Sequence, residues 1–196
     1  MANKKISFSQ LIKKVRFVQL YRVLQGLKGK KCWKAGFTYG GEMHLHFGAR
    51  IPYRNPSMAG ESKGTWILGS CGTPWHLVAP DGSITSEDHD EAELSLDLRQ
   101  LEGATVVDIG LSLPDGTLTL FFTKKRRLQV VPSARDRRYQ IPYWELSMPN
   151  HRLVAFGPGN RWSSRRSDVT PPHESPASRR VRPSALTART SGACVS

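Results

Sequence analysis

Two stretches of this chain carry the same signature in the same order, and that repeat constrains the fold more than any other feature. The first reads Leu24-x-x-Leu27-x-Gly29, Gly41-x-x-x-Leu45-x-Phe47 and Trp75-x-Leu77-x-x-Pro80. The second reads Leu98-x-x-Leu101-x-Gly103, Gly116-x-x-x-Leu120-x-Phe122 and Trp144-x-Leu146-x-x-Pro149. Nine identities recur, with a one-residue slip before the glycine turn and 27 against 21 residues between Phe and Trp. Trp and Pro matches are rarer than apolar alternation, so a duplication explains the pattern better than a chance likeness of hairpins.

Each copy reads the same way. Leu-x-x-Leu-x-Gly is the last turn of a helix, with Gly29 or Gly103 just past the cap, where a left-handed backbone costs glycine little. Alternation of period two follows. Trp33, Ala35, Phe37 and Tyr39 are expected on one strand face, and Met43, Leu45 and Phe47 on the next. In the second copy Val107, Ile109, Leu111 and Leu113 alternate, Pro114-Asp115-Gly116 turns the chain, and Leu118, Leu120 and Phe122 return. Further strands are expected at 64–69, 74–79, 127–131, 142–148 and 152–156. The expected fold is α+β: two tandem copies of a helix plus antiparallel β-meander unit, with a disordered C-terminal tail. The units are 1–86, with a basic N-terminal helix, and 87–159, with an acidic one. Residues 160–196, rich in Ser, Pro and Arg, form the tail.

Charge follows these boundaries. The 196 residues hold 29 Lys and Arg against 16 Asp and Glu, a net +13. The first 41 residues have ten basic side chains and no acid, whereas 87–102 hold seven acids and one Arg. The stripe Phe8, Leu11, Ile12, Val15 and Val18 makes the first helix amphipathic as well as basic. If the copies bring the two helices together, opposite charges neutralise internally. Residues 124–138 are basic again, with Lys124, Lys125, Arg126, Arg127, Arg135, Arg137 and Arg138 against Asp136. Tyr139 and Tyr143 stand nearby, a mixture that suits an acidic surface or a phosphate backbone with stacked bases.

Several chemistries lose support. Cys32, Cys71 and Cys194 are odd in number and lack a C-x-x-C pair, so neither a disulfide scaffold nor a zinc knuckle is expected. Lys13, Lys14 and Arg16 interrupt any signal-peptide core, and no apolar run approaches a membrane span. A cytoplasmic chain without integral membrane association is the expectation. His44 and His46 share a strand face and could approach one metal ion, with Glu42 and His76 as further ligands. The second copy has Thr119 and Phe121 there, which favours an outward strand face instead. Gly69-Ser70-Cys71-Gly72 with His76 and Asp81 could be drawn as a triad, but lacks the G-x-S-x-G elbow. No G-x-G-x-x-G or Walker loop is present.

The run Leu101-x-Gly103, Gly116-Thr117-Leu118-Thr119-Leu120-Phe121-Phe122, Trp144-Glu145-Leu146-x-x-Pro149-Asn150 and Gly157-Pro158-Gly159 resembles a family of small uncharacterised bacterial β-rich domains. The likeness covers about residues 96–159 and, more weakly, the first copy. His151 departs from it, standing where the turn usually offers Gly. The resemblance implies a globular domain rather than a reaction, with an immunity or accessory role against a toxin or phage. From all this, the chain is expected to be a non-enzymatic binding protein without cofactor. Its partner would be an acidic protein or nucleic acid, met through Lys124, Lys125, Arg126, Arg127, Arg135, Arg137 and Arg138. The alternative is a metal-dependent hydrolase using His44, His46 and His76.

Overall fold

The computed structural model describes residues 8–37, 42–86, 91–113, 115–133, 138, 140–159 and 161–167, with backbone alone for 8–15 and 91–94. Two helices, α1 (Phe8–Gln25) and α2 (Glu91–Arg99), accompany antiparallel strands. The first half of the chain supplies β1 (Cys32–Phe37), β2 (Met43–Pro52), β3 (Ser62–Ser70), β4 (Trp75–Val78) and β5 (Ile84–Ser86). The second supplies β6 (Val106–Leu111), β7 (Leu118–Phe122), β8 (Arg127–Val130), β9 (Trp144–Ser147), β10 (Arg152–Phe156) and β11 (Trp162–Arg166).

The strands form a six-stranded sheet, β1-β2-β3-β9-β10-β11, and a five-stranded sheet, β5-β4-β8-β7-β6. Each sheet therefore takes three consecutive strands from one half and its continuation from the other. Residues 75–86, assigned by sequence to the first unit, are strands of the sheet built on 106–130. Trp144 pairs with Ser70 and Leu146 with Leu68 in the first sheet, as Trp75 pairs with Val130 and Leu77 with Leu128 in the second.

The same correspondence holds at the start of each sheet. Ala35 faces Leu45 and Gly36 faces His44, while Ile109 faces Leu120 and Gly110 faces Thr119. Both first strands carry a bulge, between Cys32 and Lys34 and between Val106 and Asp108. A bulge inserts one extra residue and turns the following side chains over. Plain alternation therefore fails only at the bulge: Ala35 and Ile109 are buried as expected, but Cys32 is buried in place of Trp33 and Val106 in place of Val107, which is 44% exposed. Tyr39 lies outside the described residues.

The two sheets are tied where β1 and β6 begin. Gly29 N–H donates to the Val106 carbonyl at 2.8 Å, and Gly103 N–H to that of Cys32 at 2.7 Å. Cys32 N–H donates to Ala104 and Val106 N–H to Lys30, with the Lys31–Thr105 bridge between them. Gly29 and Gly103 have φ of 78° and 85°, the left-handed backbone their sequence position predicts. Helix α1 packs on β6 and α2 on β1. Val18 is exposed, and the described stripe of α1 that enters the core is Leu20 and Leu24, continued by Leu27 beyond the helix. Lys13, Lys14, Glu91 and Glu93, which bear on charge neutralisation between the helices, have side chains outside the described set.

One apolar cluster fills the space between the sheets. Met43, Leu45, Phe47 and Leu68 enter it from the first sheet, and Leu118, Leu120, Phe122 and Leu128 from the second. Phe47 and Phe122, at corresponding positions, stack with ring centroids 6.5 Å apart. No helix of the described residues is long and apolar enough to cross a membrane.

The C-terminal boundary differs from expectation. Strand β11 pairs with β10 along its length, Phe156 with Trp162 through to Arg152 with Arg166. Trp162 packs on the core and its indole N–H donates to the Arg16 carbonyl at 3.1 Å. A tail beginning at 160 is therefore corrected: residues 162–166 are an edge strand held by one tryptophan. Residues 168–196 lie outside the described residues. His151 has φ 55° and its carbonyl accepts from Ser167 N–H at 2.6 Å, so it holds the left-handed turn position that favours glycine.

Candidate functional site

The basic run Lys124–Arg127 begins where β7 ends. Phe122 N–H donates to the Arg126 carbonyl at 2.8 Å, closing a short 3-10 turn over Thr123–Lys125. Lys124 and Lys125 take φ of 61° and 56°, which aims two lysines outward at a backbone cost of roughly 1–2 kcal/mol each for a residue bearing a Cβ. Thr123 fixes the turn to the junction of the two sheets: its N–H donates to Thr105 O at 2.8 Å and its Oγ1 accepts from Thr105 N–H at 3.0 Å. The Arg126 guanidinium donates to Gln100 Oε1 at 3.4 Å, and its Nε is buried without a partner among the described residues.

Beside this turn lies a cleft of about 570 Å³. Its floor is Val78, Val107 and Phe121 with Arg127 between two of them, and Lys124, Lys125 and Arg126 line it from the turn. The floor is a row across the outer face of the second sheet. Asp108 pairs with Phe121, Phe121 with Arg127, Arg127 with Val78, and Val78 with Ile84. Phe121 is 36% exposed and Ile84 59%. Asp108 is held by Lys28 at 3.5 Å, an exposed pair of little energetic weight. Arg127 thus stands within the row, between Phe121 and Val78, and Lys124, Lys125 and Arg126 edge it at the turn.

The other predicted cations are placed differently. Strand β8 runs from Arg127 to Val130, roughly 10 Å at about 3.3 Å per residue. The connection carrying the remaining arginines leaves its opposite end. Arg138 is exposed there, and Arg135 and Arg137 lie outside the described residues. A second basic surface escaped the sequence reading, a cavity of about 420 Å³ among Asn150, Arg152, Ser164, Arg165 and Arg166. It depends on β11, whose Ser-rich sequence gives almost no strand signal.

The histidines divide. His44 and His46 share the outer face of the first sheet, ring centroids 5.2 Å apart. His46 is 4% exposed, and its Nδ1 accepts from Gly64 N–H at 3.0 Å, which leaves Nε2 to carry the proton of the neutral ring. Burial, then the neighbouring His44 and Lys34, pushes the His46 pKa down to about 4. Burial and Lys34 lower that of His44 as well. His76 alternates with buried Trp75 and Leu77 and so lies on the outer face of the other sheet, across the core. Among the described residues, no three His, Cys, Asp or Glu side chains are grouped to hold a metal ion.

The components of the drawn triad are also apart. Ser70 Oγ is buried and accepts from Met43 N–H at 3.0 Å. Asp81 caps its own hairpin turn by accepting from Ser83 N–H and Oγ–H. Cys71, a free thiol, is pushed up to about 12 by burial and then by Glu145 and Glu42, so it is protonated at neutral pH.

Comparison of the chain with protein-family models, with curated proteins and with solved structures finds no match in any of the three.

Proposed function

We propose that the protein is a non-enzymatic, cytoplasmic binding module that recognises an acidic macromolecular partner through the outer face of its second sheet. Lys124, Lys125, Arg126 and Arg127 supply the positive charge. The observation that carries this reading is the pairing of those cations with an apolar floor of exposed Phe121 and Val107 and half-buried Val78. A solvated charge run kept for solubility needs no such floor. Four cations beside a low-dielectric wall attract an anionic partner over distance, and apolar contact then holds it.

The architecture is read as two tandem copies of one unit that have exchanged their later strands. The support is the shared register, the paired bulges, and Trp75 and Trp144 at corresponding places in opposite sheets. The likeness to small bacterial β-rich domains belongs to the same proposal, and with it an immunity or accessory role.

Replacing Lys124, Lys125 and Arg127 with Gln tests the function. Binding to heparin, to oligo-glutamate and to an unrelated DNA duplex is measured at 50 and 200 mM salt. The native protein should bind at least one of them in a salt-dependent way, and the variant should bind more weakly with a flatter salt slope. No affinity for any of the three at low salt would end this reading.

A further inference from the structure

The two halves treat corresponding sheet faces in opposite ways. From the shared registers, Trp33, Lys34 and His46 of the first sheet correspond to Val107, Asp108 and Phe121 of the second. In the first half, Phe47 pairs with Trp66, and the chain between them makes a long excursion through residues 48–65. In the second half, Phe122 bonds directly to Arg126, and residues 123–125 are all that intervene.

The excursion lies over its own sheet face. Strand β2 bends at the bulge between Phe47 and Arg50, which brings the Arg50 guanidinium 4.5 Å over the Trp33 ring. Glu61 reaches Lys34 at 3.5 Å, and Gly64 donates to His46. A cation, a carboxylate and a backbone N–H from one hairpin thus cover three outward residues. His46 is left 4% exposed beneath them, while Phe121 in the second half stays 36% exposed.

Among the described residues the second sheet lacks that cover, and it carries four cations where the cover would begin. We infer that the missing cover is supplied by a partner protein: an extended, hairpin-like segment that alternates carboxylates with apolar side chains. It lies on Phe121, Val107 and Val78 much as residues 48–64 lie on the first sheet, its carboxylates meeting Lys124, Lys125 and Arg127. This inference rests on the acidic-partner reading above and names the partner's class. Charge complementarity selects an acidic segment. The floor favours protein over nucleic acid, because two of its three apolar residues are valines, which offer bases no stacking platform and leave Phe121 as its single ring.

Three labelled probes test this with the full chain at low salt: a 12-residue peptide alternating Glu with Tyr and Ile, an oligo-glutamate of equal charge, and a single-stranded thymidine oligonucleotide of equal charge. The alternating peptide should bind at least about tenfold more tightly than either other probe. Phe121→Ser, and separately Val107→Ser, should remove that advantage, with melting temperatures confirming that each variant folds. Equal binding of all three, preference for the oligonucleotide, or no effect of either Ser variant would overturn the inference and leave the acidic-partner reading standing. Binding of none would overturn both.

Discussion

Replacing Trp75 or Trp144 with Ala probes both the core and the route of the chain. Trp75 is 1% exposed and Trp144 0%. Trp75 lies 5.6 Å by ring centroid from Phe37 of the opposite sheet, and Trp144 stacks on Phe156 at 5.2 Å. Burying an indole removes roughly 150–250 Å² from water, worth about 4–6 kcal/mol. Both Nε1–H groups are buried without a partner among the described residues, which offsets about 1–3 kcal/mol of that gain. With the cavity left behind, each Ala variant should lose about 3–5 kcal/mol, measured by urea denaturation. A Phe variant discards the unpaired N–H and should lose much less. Native-state amide exchange then locates the damage. Trp75→Ala should expose the amides of β8 first, and Trp144→Ala those of β3, because those are the strands they pair with. A loss below about 1 kcal/mol at either site would refute the equivalence of the two tryptophans. Early exchange of β3 in Trp75→Ala would refute the coupling of each tryptophan to the opposite half.

A chain ended after Gly159 should melt lower than one ended after Ser167, since only the first loses β11; equal melting temperatures would mean the strand contributes nothing. Trp162→Ala should reproduce most of the difference in thermal melts. The His46 pKa is depressed from 6.5 to about 4, so the neutral ring's stabilisation is fully present above pH 6.5 and is lost as pH falls toward 4. The urea midpoint should drop across that window, and less steeply in His46→Gln, whose amide oxygen can still accept from Gly64. Gly at Lys124 and Lys125 relieves the left-handed strain and should raise stability by up to about 1 kcal/mol per site in denaturant titrations, while weakening salt-dependent binding to oligo-glutamate.

The strands were legible in the sequence wherever period two ran unbroken: Met43-x-Leu45-x-Phe47, Leu118-x-Leu120-x-Phe122 and the two Trp-x-Leu pairs all enter the core. In the first strands Ala35 and Ile109 face inward as alternation requires, and only the alternating residue ahead of each falls on the wrong face, because a bulge leaves no mark in composition. Trp33 and Val107 look like members of an apolar alternation and are the inserted residues. Alternation also says which face is buried without saying in which sheet, so the crossing of β4 and β9 was invisible. Strand β11 has a single apolar anchor, and β5 only three residues, too little for any periodic signal. At the site, Lys124–Arg127 stood out as charge. Its floor did not, since Phe121 sits between two core residues and Val107 on a bulge.

The crossing of strands has a consequence for synthesis. After β3 leaves the ribosome, its Ile67–Ser70 edge must wait for Trp144–Ser147, encoded far downstream. At about 5–20 residues per second that edge stays unpaired for several seconds. The strand β4, made immediately afterwards, cannot protect it, because its own mate β8 does not yet exist. A nascent first half thus carries two orphan edges that only β8 and β9 of a second half complete. The second half of a chain just finished by the ribosome ahead carries those strands, so a strand-exchanged dimer is the characteristic misfolded product.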